Sequence, residues 1–166
     1  MIVSELVLLS IVYKDALSYN KLHTKLYTSL AKYARQIGIP PNEVPKLIIN
    51  KKEMQELLVT KSQMNAPVLY NDKSKTPYGL CISNIRTIFV DVHRIIEEEE
   101  IQSTDYPHTA FMQDTTLVHE LVHYRFPYMQ HGEKFEERTR EILRGQVFEP
   151  ESIRKIICGD CHRPNM

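Results

Sequence analysis

Two histidines four residues apart, with a glutamate directly after the first, constrain this chain more than anything else in it: His119-Glu120-Leu121-Val122-His123. Residues at that spacing stand one above the other on a helix, where both imidazoles can offer a nitrogen to one ion. Glu120 is angled toward a water held on such an ion more than toward the ion itself, which is the position of a general base. Pro127 discourages continuation of the helix, so Phe126 to Gln130 is expected to turn and bring His131 back as a third ligand. His119, His123 and His131 would leave a fourth tetrahedral position to water, whose pKa on zinc falls to about 7. The predicted site helix runs from Asp114, as N-cap, to Phe126, with Leu117, Leu121 and Val122 on its apolar faces. An amphipathic helix can carry two histidines by accident; a third histidine after a helix-ending turn weighs against that reading.

The rest of the chain has to cover that helix. Its 166 residues, 42% hydrophobic and 25% charged, suit one domain with a real core and exclude fibrous and disulfide scaffolds. Met1 to Tyr13 are rich in Ile, Val and Leu but contain Glu5 and lack a basic n-region and a small-residue cleavage site. They read as a buried element, too short to span a membrane. Three cysteines, Cys81, Cys158 and Cys161, without an export signal point to thiols in a reducing, cytoplasmic interior. The net charge is zero but unevenly spread: residues 1–96 carry 13 basic and 7 acidic side chains, residues 97–166 carry 8 and 14.

Leu22, Leu26, Leu30, Tyr33 and Ile37 recur at helical spacing between Tyr19 and Ile37, and Gly38 with Pro40-Pro41 ends that helix. Lys14, Lys21, Lys25 and Lys32 fall on one side of it, a solvated face in preference to a phosphate-binding stripe. Val44 to Asn50 reads as a short strand and Lys51 to Lys61 as a helix with Met54, Leu57 and Leu58 inward. After a polar loop, Asn71 to Pro77, two β-rich runs follow, Tyr78 to Ile82 and Thr87 to Val92, joined near Ser83-Asn84 as a hairpin or as adjacent strands. Glu97 to Glu100 is an acidic run expected to face water. Gly132 to Leu143 is predicted as a helix with Phe135, Ile142 and Leu143 inward and Glu136 and Arg140 as an exposed ion pair.

HELVH followed after a short turn by HGEKF, His119 to Phe135, resembles the SprT-like family of zinc metallopeptidases, related to the Wss1-type and Spartan-type proteases of DNA–protein crosslinks. The resemblance is specific over about seventeen residues and architectural over residues 78–145. It implies an α+β, zincin-like domain over residues 1–150, a small mixed or antiparallel sheet packed on an active-site helix and flanking helices. It implies Zn2+ on His119, His123 and His131, Glu120 as catalytic base, a protein or peptide substrate, and possible DNA association. It further implies that Thr87 to Val92 is the edge strand that lines the cleft and pairs with an extended substrate. The small minigluzincin peptidases are a second comparison, in which a glutamate on the following helix is the third ligand; Glu133, Glu136 or Glu137 could fill that place, with His131 preferred for its HGxxF setting.

Residues 151–166 read as a C-terminal tail with a single CxxC pair, where many SprT-like chains continue into a four-cysteine ribbon. Cys158-Gly159-Asp160-Cys161-His162 also matches the haem-attachment pattern, which usually requires export. A knuckle shared across a dimer, a redox pair, a tail without a role, or a tail that folds back on the metal are the other readings. An oxyanion would need one more donor, for which Tyr124, Tyr128, Arg125 and His108 are candidates by proximity in sequence. The alternative to a peptidase is a zinc-binding protein, non-catalytic or latent, with the same HExxH site. A hydrolase of nucleotides has no glycine-rich phosphate loop to support it.

Overall fold

The computed structural model describes residues 20–21, 23–61, 78–95 and 108–153. Within them the chain is mixed α+β. Helix α1 (residues 23–36) is followed by a 3-10 turn (Pro41–Glu43), strand β1 (Lys46–Ile48), helix α2 (Lys51–Lys61), strands β2 (Gly79–Ile82) and β3 (Thr87–Val90), a helical turn α3 (residues 92–95), and helices α4 (His108–Arg125) and α5 (Glu133–Leu143). The readings placed on residues 1–19, on Leu22, on the loop 71–77, on the acidic run 97–100 and on the CxxC tail lie outside the described residues.

The strands form one sheet in the order β1-β3-β2, with β1 parallel and β2 antiparallel to β3. Strand β3 is therefore central among the described residues, and the edge beside helix α4 is β2. This corrects the expectation that Thr87 to Val92 is the edge. All four residues of β3 are buried because both faces of the strand are covered, so apolar residues follow one another from Ile88 to Val90 where an edge strand would alternate. The strand also stops at Val90: Asp91 Oδ1 accepts the Arg94 N–H, which starts α3 instead.

Alternation along the strands divides the apolar residues between two faces. Ile48, Phe89, Met54 and Leu58 pack together with Leu57, Leu80 and Ile82 under α2. Leu47, Ile49, Ile88 and Val90 join the larger core, where Leu26, Leu30, Tyr33 and Ile37 of the first helical segment meet Leu117, Val118, Leu121 and Val122 of α4 and Phe135 and Ile142 of α5. Lys21, Lys25 and Lys32 are exposed.

Helix α4 begins at His108, six residues before the expected N-cap. Asp114 lies inside it and its carboxylate accepts the Tyr33 hydroxyl at 3.2 Å, tying α4 to α1. On α5 the expected Glu136–Arg140 ion pair is replaced: Arg140 Nε donates to the Glu136 carbonyl, and the ion pair is Arg138–Glu141 at 3.6 Å. The body continues three residues into the segment read as a tail, because the buried Glu43 carboxylate accepts from Ser152 Oγ at 2.7 Å and from the Ile153 N–H at 2.6 Å. No helix among the described residues is long and apolar enough to cross a membrane.

Candidate metal centre

Helix α4 stacks His119 and His123 one turn apart, and the chain leaves it through Phe126, whose N–H still bonds the Val122 carbonyl at 2.8 Å. Pro127 and Tyr128 form the turn, closed by Met129 N–H on the Phe126 carbonyl at 2.9 Å. The turn lays His131 back over α4, and Gly132, at φ 150°, a conformation that side-chain-bearing residues rarely take, leads from His131 into α5. The three Nε2 atoms meet: 3.2 Å between His119 and His123, 3.2 Å between His119 and His131, and 2.8 Å between His123 and His131.

Such a triangle cannot be satisfied by hydrogen bonds. Each Nε2 is either a donor or an acceptor, so at least one of the three pairs must match donor with donor or acceptor with acceptor. One cation accepting all three lone pairs removes the conflict. Tetrahedral zinc with Zn–N near 2.0–2.1 Å would space its nitrogens by about 3.3 Å, close to the separations found. These histidines are the group among the described residues that could hold a metal ion. Burial, reinforced by the neighbouring imidazoles, lowers the pKa of His123 to about 4. Burial and His131 also lower that of His119, against an opposing pull from Glu136. In both rings burial favours the neutral form, the one that can offer a lone pair to a cation.

Glu120 stands beside the triangle, only 6% exposed. Burial pushes its carboxyl up to about 8. A cleft of about 390 Å³ opens over this group, with His119, Glu120, His123 and His131 on one side, Gly79, Leu80, Cys81 and Ser83 of the β2 edge on the other, and Pro127 at one end. Cys81 is a free thiol whose pKa burial raises to about 11, with Glu120 adding to the rise and Ser83 opposing it. A wider hollow of about 490 Å³ lies on the outer side of α5 between Glu133, Glu137, Arg140 and Arg144. It mixes acidic with basic side chains and has no convergent donor set.

The other sequence candidates lie elsewhere. Glu133, Glu136 and Glu137 are exposed on α5 and do not belong to the converging donors. Tyr124 is buried and donates its hydroxyl to the Glu43 carbonyl at 2.6 Å. Arg125 is buried, with Nε on the Ile37 carbonyl and its terminal nitrogen on Glu151. Both are structural ties, which corrects their reading as oxyanion donors. Tyr128 is exposed and lines a separate groove with Phe126 and Met129. The His108 side chain lies outside the described residues.

Sequence reasoning missed the β2 wall, although Gly79 at the start of a strand is a signal of close approach by another group. It also took Phe135 as core alone. The Phe135 ring lies 4.7 Å from His119, 4.6 Å from His123 and 4.9 Å from His131, centroid to centroid. No family model, curated protein or solved structure matches the chain.

Proposed function

We propose that this chain is a zinc-dependent metallopeptidase of the SprT-like kind, with His119, His123 and His131 holding the metal and Glu120 as general base. The observation that carries the reading is the convergence of three imidazole nitrogens beside a buried carboxylate, under a sheet edge. Zinc, when bound, supplies Lewis-acid polarisation of a carbonyl and acidifies water. Glu120 takes the proton from the attacking water and delivers it to the leaving amine nitrogen. Its burial favours this role, since a carboxylate in a poorly solvated site holds a proton more strongly than one in water.

The edge strand supports a peptide substrate in particular. The Asp91 N–H bonds the Tyr78 carbonyl at 2.7 Å, and the register pairs Gly79 with Val90 and Leu80 with Phe89. In an antiparallel ladder the bonded pairs alternate, so the main-chain groups of Gly79 and Cys81 point away from β3. An extended peptide laid along β2 would bond those groups and pass across Glu120 and the metal. Gly79 and Cys81 also present their side-chain positions to α4, so the strand offers little bulk at the place where a scissile bond must approach.

The test is metal analysis and cleavage of unfolded casein by wild type, His131→Ala and Glu120→Gln. The reading expects about one zinc per wild-type chain, loss or weakening of zinc in His131→Ala, and retained zinc with abolished cleavage in Glu120→Gln. Zinc without cleavage in the wild type would leave a binding protein, and absence of zinc would refute the metal site.

A further inference from the structure

Metal-binding histidines ordinarily donate their second ring nitrogen to a carboxylate, a carbonyl or water, which fixes the ring and its tautomer. Among the described residues no such protein partner serves His119, His123 or His131: their hydrogen-bond contacts are the mutual Nε2 approaches. One aromatic side chain lies against all three. Phe135, 1% exposed, meets His131 edge-on at 82° and the other two rings at 59° and 43°. It does so from the first turn of α5, four residues after His131, so the segment that delivers the third ligand also delivers the wall behind the first two.

We infer that Phe135 is a positioning residue for the metal centre, holding the three imidazole rings in their ligating orientation where other sites use hydrogen bonds. The inference rests on the metal site of the proposed function and says how that site is preorganised. The ring is rigid, and its contacts are the tilted and edge-on arrangements that aromatic pairs favour. His131 depends on it most, because that side chain is exposed and comes from a turn, whereas His119 and His123 are also fixed by helix α4. Removing the flat ring frees each imidazole to rotate away from the common point, so metal binding must then re-order all three.

The experiment measures zinc affinity by chelator competition, the visible spectrum of the Co2+-loaded protein and the melting temperature of the metal-free protein. It compares wild type with Phe135→Leu, Phe135→Met and Ile142→Val. Ile142 is buried on the same helix and belongs to the same core, so its variant reports simple loss of packing. The expected result is zinc binding weaker by about tenfold or more in both Phe135 variants, with a weaker, shifted Co2+ spectrum, while Ile142→Val lowers the melting temperature and keeps wild-type affinity. The methionine variant retains apolar bulk and covers the case in which the leucine variant does not fold. Wild-type affinity and spectrum in a folded Phe135 variant would overturn the inference while leaving the metal site standing. A wild type that binds neither ion would overturn the metal site itself.

Discussion

The α-carbon of Gly79 lies against the carboxylate of Glu120, so close that a Cβ on residue 79 would stand 2.7 Å from Oε1 and 2.8 Å from Cγ, with Thr116 Cγ2 at 2.9 Å. Edge strand and Glu120 carboxylate thus share one volume, and only glycine leaves room for both. In Gly79→Ala the Glu120 side chain has to swing out of its position, since the strand is held by its pairing to β3. The three histidines are not in the path of the new methyl group. We expect metal content to stay at the wild-type level, kcat on casein to fall about 100-fold, the order that a misplacement near 1 Å can cost, and stability to drop by about 1–3 kcal/mol from overpacking. Steady-state kinetics beside metal analysis and thermal melts would check this; unchanged kcat would mean that Glu120 has no fixed position to lose.

The burial of Glu120 makes the metal-free protein sensitive to pH in a definite direction. Its carboxyl is raised from 4.5 to about 8 in the folded state, so folding holds this proton more tightly than the unfolded chain does. The stability it contributes is full below about pH 4.5 and is lost as pH rises to about 8. Glutamine carries no charge at any of these values, so metal-free Glu120→Gln should gain on metal-free wild type across that window and match it most closely near pH 4.5. Each 1 kcal/mol would move Tm by about 2–4 °C in a chain of this size. Melting curves at pH 5 and pH 8 decide the matter, and a gap that narrows with rising pH would contradict it. Added zinc should shrink the gap at pH 8 by favouring the carboxylate.

The parts of this molecule that were legible in sequence are those where one residue type has one local consequence. Pro127 ended helix α4 and the turn after it returned the chain, so the convergence of His119, His123 and His131 followed from spacing. Lys51–Lys61 likewise carried its own signature, with Met54 and Leu58 inward. Strand order was not legible in the same way, because Thr87–Val90 and Gly79–Ile82 are both short apolar runs and pairing is a property of the whole sheet. Ile88, Phe89 and Val90, apolar at successive positions and so on both faces, were nevertheless a hint of a central strand. Tyr124 and Arg125 misled for a related reason: closeness in sequence to His123 says nothing about which side of the helix faces the three histidines, and Tyr124 reaches the 3-10 turn while Arg125 reaches the end of α1 and the C-terminal segment.

That assignment of Tyr124 separates stability from chemistry. Its hydroxyl bonds the Glu43 carbonyl, whose own side chain anchors Ser152 and Ile153. Tyr124→Phe removes a buried hydrogen bond and leaves a carbonyl less satisfied, which should cost about 1–3 kcal/mol, while kcat and zinc affinity remain near wild type. Denaturant unfolding and casein kinetics on the same preparation test it. A large loss of kcat with unaltered stability would restore Tyr124 as an oxyanion donor.

Gly132 allows the sharpest separation of backbone from ligand effects. Its φ of 150° is strained for any residue with a side chain, yet a Cβ there would meet nothing within 4 Å, so Gly132→Ala acts through the backbone alone. Gly145, with φ 99° and equally open surroundings, offers the matched control away from the metal centre. Both alanine variants should lose stability by about 1–3 kcal/mol, the usual cost of a disfavoured backbone region. Only Gly132→Ala should weaken zinc, because relaxing its φ rotates the neighbouring His131 off the triangle that it closes at 2.8 Å from His123. A loss of about tenfold in affinity is the expected scale. Equal zinc affinity in the two variants would show that His131 reaches its place by side-chain rotation and does not depend on the backbone conformation at Gly132.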